Sequence, residues 1–265
     1  MDKPIGIFDS GIGGLTVVKE VVKLLPQERI VYFGDTARVP YGIKSRETII
    51  KFSLENTLFL LRQDVKVIVI ACNSSSSLAL SVIRKHFKIP IIGVIMPGAK
   101  EAVYATKSKK VGVIGTRATI NSKAYEQEIK RLDSTIKVYS QACPMFVPLV
   151  EEGWVNDEVT RKTVEKYLTP IKKKGIDTLI LGCTHYPLLK KRIKEFMGPG
   201  VTLIDSAREV ALELKQVLSQ EGILNQSTKK PVYQYFVSDE VAIFENVARS
   251  FLGRELQHVK KVENV

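Results

Sequence analysis

The strongest constraint on this chain is one short pattern that occurs twice: an apolar run closed by a small residue, a cysteine and two polar residues. Val67-Ile68-Val69-Ile70-Ala71-Cys72-Asn73-Ser74 is matched by Thr178-Leu179-Ile180-Leu181-Gly182-Cys183-Thr184-His185. Short runs that are apolar throughout and rich in β-branched residues read as strands covered on both faces, as in a parallel sheet flanked by helices. Strands are predicted at 5–8, 30–33, 65–71, 91–94, 111–114, 136–139, 178–181 and 201–204, and helices at 45–62, 76–87, 122–131, 157–173 and 207–220.

Two weaker correspondences flank the main one. Gly6-Ile7-Phe8-Asp9-Ser10-Gly11 answers Val111-Gly112-Val113-Ile114-Gly115-Thr116, and Gly93-Val94-Ile95-Met96-Pro97 answers Leu203-Ile204-Asp205-Ser206-Ala207. The expected fold is therefore α/β: two pseudo-symmetric doubly wound lobes with largely parallel sheets facing a central cleft. The first lobe takes residues 1–97 and is completed by 206–265, and the second takes 98–205. In the tail, a strand at 233–237 and a helix around 240–252 are expected to pack back on one lobe.

A chain of 265 residues is long enough for two such lobes. No apolar stretch approaches the ~20 residues of a membrane span, and the run after Met1-Asp2-Lys3-Pro4 is too brief for a signal-peptide core. Cys72, Cys143 and Cys183 are widely spaced with no CxxC pair, so reduced thiols and a cytoplasmic location are expected. The net charge of +12 is scattered in small clusters such as Lys107/Lys109/Lys110 and Lys190/Lys191/Arg192/Lys194, without interleaved aromatic residues. That distribution describes a solvated surface rather than a dedicated nucleic-acid partner, while its field favours a small acidic substrate.

Ligands of open α/β sheets bind beyond the carboxyl ends of the strands, where Asp9, Cys72, Thr116 and Cys183 all fall. Lobes facing each other place one thiol on each wall of the cleft. Such a pair suits removing a proton from one face of a carbon and returning one to the other. A free thiol, with a pKa of about 8.5, is mostly protonated at neutral pH and needs a helper. Asp9 is the candidate beside Cys72, and His185 beside Cys183. Ser10, Asn73, Ser74, Thr116, Thr119 and Thr184 are candidate donors to a substrate carboxylate. Cys143 lacks a matching partner and reads as core, and His86 and His258 read as surface residues.

The competing readings leave more unexplained. In Asp9-Ser10-Gly11-Ile12-Gly13-Gly14-Leu15-Thr16 the third dinucleotide glycine would fall on Thr16, no Gly-Lys-Ser/Thr follows, and Asp9 would repel a phosphate. A metal site from Cys72, Cys183 and His185 lacks the usual local spacing. A Cys-His amidase built on Cys183 leaves Cys72 idle, and a basic nucleic-acid-binding protein leaves both thiols as core.

Five segments together resemble the glutamate racemases of the aspartate/glutamate racemase superfamily, bacterial enzymes that supply D-glutamate for peptidoglycan. They are 6–16, Gly34-Asp35-Thr36-Ala37-Arg38-Val39-Pro40-Tyr41-Gly42, 71–74, Phe146-Val147-Pro148-Leu149-Val150-Glu151 and 181–187. The similarity spans nearly the whole chain. It implies Cys72 and Cys183 as catalytic thiols, assisted by Asp9 and His185, with Glu151 close to the second. It also implies that Asp9, Ser10, Tyr41, Gly42, Asn73, Ser74, Thr184 and His185 bind glutamate, with Thr116 and Thr119 as further carboxylate contacts. No metal and no cofactor is implied, and a homodimer is. Ser74 departs from the usual threonine but keeps the hydroxyl. From spacing alone Tyr41-Gly42 reads as a turn after Pro40, and Glu151 as an exposed carboxylate ending an apolar run. The expected reaction is reversible conversion of L-glutamate to D-glutamate. An aspartate or related racemase is the nearest alternative, since one methylene in a pocket shifts preference by only ~1–3 kcal/mol.

Overall fold

The structure, a computed structural model, describes residues 2–227, 229–253, 256 and 259–262. Its frame is two sheets. One holds β1 (Ile5–Asp9), β2 (Ile30–Gly34), β3 (Val67–Ile70) and β4 (Ile91–Gly93), and the other β5 (Lys110–Gly115), β6 (Lys137–Ala142), β7 (Thr178–Gly182) and β8 (Thr202–Ile204). From the tail, β9 (Tyr233–Val237) and β10 (Val259–Lys261) join the first sheet. Among the described residues the strand orders are β10-β9-β2-β1-β3-β4 and β6-β5-β7-β8, with every pairing parallel. Without the two tail strands the sheets share one order, so the internal repeat in the sequence is a repeat of topology. The α/β class with two facing, doubly wound lobes is the observed fold.

The helices are α1 (Leu15–Leu24), α2 (Arg46–Arg62), α3 (Asn73–Leu78), α4 (Leu80–His86), α5 (Ile95–Ala105), α6 (Arg117–Asn121), α7 (Ala124–Leu132), α8 (Phe146–Glu151), α9 (Glu158–Lys172), α10 (Lys190–Met197), α11 (Ser206–Gln220) and α12 (Val241–Leu252). The chain passes from the first sheet to the second through α5 and returns through α11, and these two helices pack on each other. α11 starts at an Asp205 cap whose carboxylate accepts the Ala207 N–H, and it buries Ala207, Val210, Ala211, Leu214 and Leu218 along one face. Among the described residues no helix is long and apolar enough to cross a membrane.

Several elements differ from the sequence reading for local reasons. α1 and α5 are regular helices that it did not include. α1 follows the glycine-rich turn directly and buries Leu15, Val17, Val18 and Val21. α5 carries Pro97 in its first turn, where a missing N–H breaks no helical bond. The predicted helix 76–87 begins at Asn73 and breaks at Ala79 into α3 and α4. In it the Ser76 hydroxyl donates to Ile70 O and accepts from Val94 N, which ties the helix to two strand ends. The predicted helix 122–131 is α7, which starts at Ala124 because Lys123 takes a left-handed backbone with φ of 57°, and the short α6 before it is a helix the sequence reading did not include.

The tail is tied to the first sheet as well as paired with it. β9 runs beside β2 in the register Ile30↔Tyr233. A buried Lys66–Glu28 ion pair at 2.7 Å holds the segment leading to β9, with Lys66 Nζ donating to Ile223 O and Asn225 N donating to Glu28.

Candidate active site

In both sheets the strand order reverses beside the central strand, between β1 and β3 and between β5 and β7, so a crevice opens at those carboxyl ends. The residues that follow these strands meet there. β1 ends at Asp9, whose carboxylate is fully buried, accepts the Gly11 N–H at 3.1 Å and accepts the Thr184 hydroxyl of the opposite lobe at 3.3 Å. Burial raises the Asp9 pKa against the opposing pull of His185 and of backbone N–H groups.

The glycine-rich turn after Asp9 provides close approach. A Cβ on Gly13 would lie 2.3 Å from Thr184 Oγ1 and 2.6 Å from His185 Nδ1, and one on Gly14 would lie 2.6 Å from Asp9 Cβ. Only a bare backbone lets the second lobe's Thr184-His185 pair rest against this turn.

Cys72 sits between β3 and α3, 4% exposed. Burial first, and then the negative charge of Asp9, push its thiol up to about 11, against hydrogen bonds from the Ser75 N–H and the Ser10 hydroxyl. At neutral pH this thiol keeps its proton. Cys183 follows β7 and is 6% exposed, with its Sγ 3.9 Å from His185 Nδ1. His185 Nε2 in turn lies 3.1 Å from Glu151 Oε1 at the end of α8. Burial opposes charge on this imidazole, but the hydrogen bonds to Cys183 and Glu151 outweigh it and raise the pKa to about 10. The edge of Phe251 in α12 closes against the His185 ring, with 6.0 Å between centroids.

Hydroxyls span the crevice. Ser74 Oγ lies 2.9 Å from Thr116 Oγ1 and 3.4 Å from Thr119 Oγ1, and the two threonines are 3.1 Å apart. Thr116 also caps α6. Gly42 lies flat against Thr116, where a Cβ would fall 2.4 Å from the Thr116 Cβ. Its neighbour Tyr41 donates its hydroxyl to the Asp35 carboxylate and accepts from Asn56 Nδ2 at 3.0 Å. Arg38 Nε at 2.6 Å and Ser238 Oγ at 2.9 Å complete the Asp35 cluster. Asn73 Oδ1 accepts from the Tyr125 hydroxyl at 2.8 Å.

Ser10, Tyr41, Gly42, Cys72, Asn73, Ser74, Thr116, Cys183, Thr184 and His185 all border one cavity of about 20 Å³, together with Val39, Pro40 and Val147. Asp9, Thr119 and Glu151 stand behind that wall and act on it through Thr184, Thr116 and His185. Cys143 is buried with its Sγ 3.7 Å from Gln141 O, outside the cavity. His86 is exposed, and His258 lies outside the described residues. Among the described residues no group of three or more His, Cys, Asp or Glu side chains is arranged to hold a metal ion.

The Asp/Glu/hydantoin racemase family model matches residues 5–214. The chain belongs to the Asp/Glu/hydantoin racemase family. A glutamate racemase of Geobacter metallireducens is 50% identical over 260 residues, 98% of this chain and 96% of that protein. One of Chlorobaculum tepidum is 52% identical over 262 residues, with the same shares covered. Among solved structures, a glutamate racemase isoform of Bacillus anthracis superposes with a TM-score of 0.95 at 42% identity, covering 98% of this chain and 97% of that one. A Francisella tularensis glutamate racemase in complex with D-glutamate gives 0.93 at 42% identity, covering 99% and 98%.

Within this racemase frame, sequence reasoning singled out neither Val39, Pro40 and Val147 in the wall nor Asp35, Asn56 and Tyr125 behind it. The first three lie inside segments that carry the resemblance, so position in a motif could have found them. Tyr125 has no such signal, because its partner Asn73 lies in the other lobe.

Proposed function

We propose that this chain interconverts L- and D-glutamate by moving the α-proton between two thiols. The observation that carries this reading is that Cys72 and Cys183, from corresponding strand ends of two lobes, border the same small cavity. Identity of about half with glutamate racemases over nearly the full chain supports glutamate as substrate.

The resting protonation follows from the surroundings. Cys72 is held as the thiol, while His185, backed by Glu151, lies within reach of the Cys183 sulfur to exchange its proton. With one enantiomer bound, the Cys183 thiolate takes the α-proton and Cys72 delivers its own proton to the opposite face, which leaves Cys72 as thiolate. The other enantiomer runs the same steps in reverse. The proton balance closes on the two thiols alone, without a cofactor. Asp9 assists Cys72. Its charge makes the Cys72 thiolate a stronger base when that thiolate is the one required. Ser10, Asn73, Ser74, Thr116 and Thr184 supply donors for the substrate carboxylates, with Tyr41-Gly42 and Thr119 holding them in place.

A cavity of about 20 Å³ has room for roughly one water molecule. Glutamate therefore enters only when the walls part. We assign the moving bodies to residues 1–97 with 206–265 and to 98–205, a division whose boundary passes through α5. A homodimer, a cytoplasmic location and supply of D-glutamate to peptidoglycan complete the proposal and rest on the resemblance.

The test is incubation of metal-free protein with L-glutamate, and separately with L-aspartate, in D₂O, following optical rotation and α-deuterium together. Rotation should fall to zero with glutamate as deuterium enters the α-position. No exchange with either glutamate enantiomer would refute the racemase reading, and faster exchange with aspartate would reassign the substrate.

A further inference from the structure

One buried hydroxyl joins every part of the molecule that a two-wall mechanism must keep in register. Tyr125, in α7 of the second sheet's lobe, is 2% exposed, and its hydroxyl reaches Asn73 of the first sheet's lobe at 2.8 Å. Its ring packs against Gly98 and Gly182, where an added Cβ would lie 3.3 Å and 3.2 Å from ring carbons. Gly182 immediately precedes Cys183, and Asn73 immediately follows Cys72. Gly98 lies in α5, which carries the chain out of the first sheet, and its added Cβ would also lie 3.2 Å from the Cβ of Ser206, which opens α11, the helix that carries the chain back.

Hydrogen-bond direction then fixes one more group. The Tyr125 O–H donates to Asn73 Oδ1. An asparagine amide has one acceptor end and one donor end, and a donor held on Oδ1 settles which way it faces. Asn73 borders the cavity and is 3% exposed, so its NH₂ is the end left to meet a ligand there. The geometry points to Tyr125 as a positioning residue of the second lobe that orients the Asn73 amide of the first, so that Asn73 Nδ2 donates to a substrate carboxylate only when the lobes are closed. This inference deepens the glutamate reading and rests on it.

Tyr125→Phe removes the hydroxyl and leaves the ring against both glycines. The KM for each glutamate enantiomer should rise about three- to tenfold, the worth of one neutral buried hydrogen bond, with kcat changed less. Asn73→Ala should raise KM by itself, and Tyr125→Phe should add almost nothing to it in the double variant. A wild-type KM in Tyr125→Phe, or additive effects in the double variant, would overturn the assignment. A second measurement is independent of turnover: the Asn73 side-chain NH₂ pair in ¹H–¹⁵N spectra of the full chain, identified by its loss in Asn73→Ala. It should move in Tyr125→Phe, and an unmoved pair overturns the assignment. If wild-type protein fails to racemise glutamate, the substrate reading falls and the spectrum still decides the role of Tyr125. Should Tyr125→Phe fail to fold, Asn73→Asp keeps an acceptor for the Tyr125 hydroxyl but lacks the NH₂, so it should raise KM as Asn73→Ala does, and a wild-type KM there overturns the assignment.

Discussion

Cys72 and Cys183 end corresponding strands of two sheets with the same order, yet their surroundings share little. The residues after Cys72 enter α3 at once and leave the thiol facing a buried carboxylate, Asp9, that opposes its ionisation. The residues after Cys183 turn through Thr184 and His185 into a short 3₁₀ segment at Tyr186–Leu189, which places an imidazole against the sulfur and a carboxylate behind the imidazole. Topology fixes where each thiol stands, and the two or three residues after each strand decide what faces it. A symmetric fold thus presents a thiol facing a carboxylate on one wall and a thiol facing an imidazole on the other.

The most severe way to break this comparison is to remove either sulfur. Cys72→Ser and Cys183→Ser should each lower racemisation on the order of 10³-fold, while residual α-proton exchange survives for opposite enantiomers in the two variants. Exchange measured by NMR in D₂O that is identical for both enantiomers in both variants would show that the walls are interchangeable.

A milder perturbation removes the neighbours instead. His185→Asn and Asp9→Asn should each cost on the order of 10²-fold, but only the second acts on Cys72. Without the Asp9 charge Cys72 should ionise at lower pH than about 11. Thiolate ultraviolet absorbance against pH reads the shift. A Cys72 that ionises alike in the wild type and in Asp9→Asn would end the contrast.

Glu151→Gln leaves the imidazole but removes one of the two groups that raise its pKa to about 10. The basic limb of the pH–rate profile should move to lower pH, with a loss of roughly tenfold or less at neutral pH. An unmoved limb would detach Glu151 from the His185 wall.

The smallest effect is on stability. The folded-state pKa of His185 lies above its ordinary value, so its protonation stabilises the folded form fully below about pH 6.5 and the benefit is lost as pH climbs through about 10. The melting temperature should fall across that window, and the fall should be shallower in His185→Gln.

The strand frame was readable in the sequence because parallel strands buried on both faces are apolar at nearly every position. β1, β3 and β7 meet that description, and β9 was placed at its observed bounds. α1 and α5 were harder, since Gly13-Gly14 precedes one and Pro97-Gly98 lies in the first turn of the other, and both pairs mimic loop signals. The two thiols stood out because their flanks repeat. Tyr41-Gly42 did not, because what brings them to the cavity is the Asp35 cluster, whose members range from Arg38 to Ser238. Glu151 is likewise separated from His185 by 34 positions and meets it only after α8 and β7 are in place.

Gly13 shows how narrow the tolerance of this machine is. The two halves close upon each other with less clearance at that residue than one carbon atom occupies. A methyl group there, as in Gly13→Ala, would act as a doorstop: each half could fold as before, while the gap between the sulfurs would no longer shut. Gly13→Ala should therefore lower activity with little loss of stability, at a position that carries no side chain and does not border the cavity.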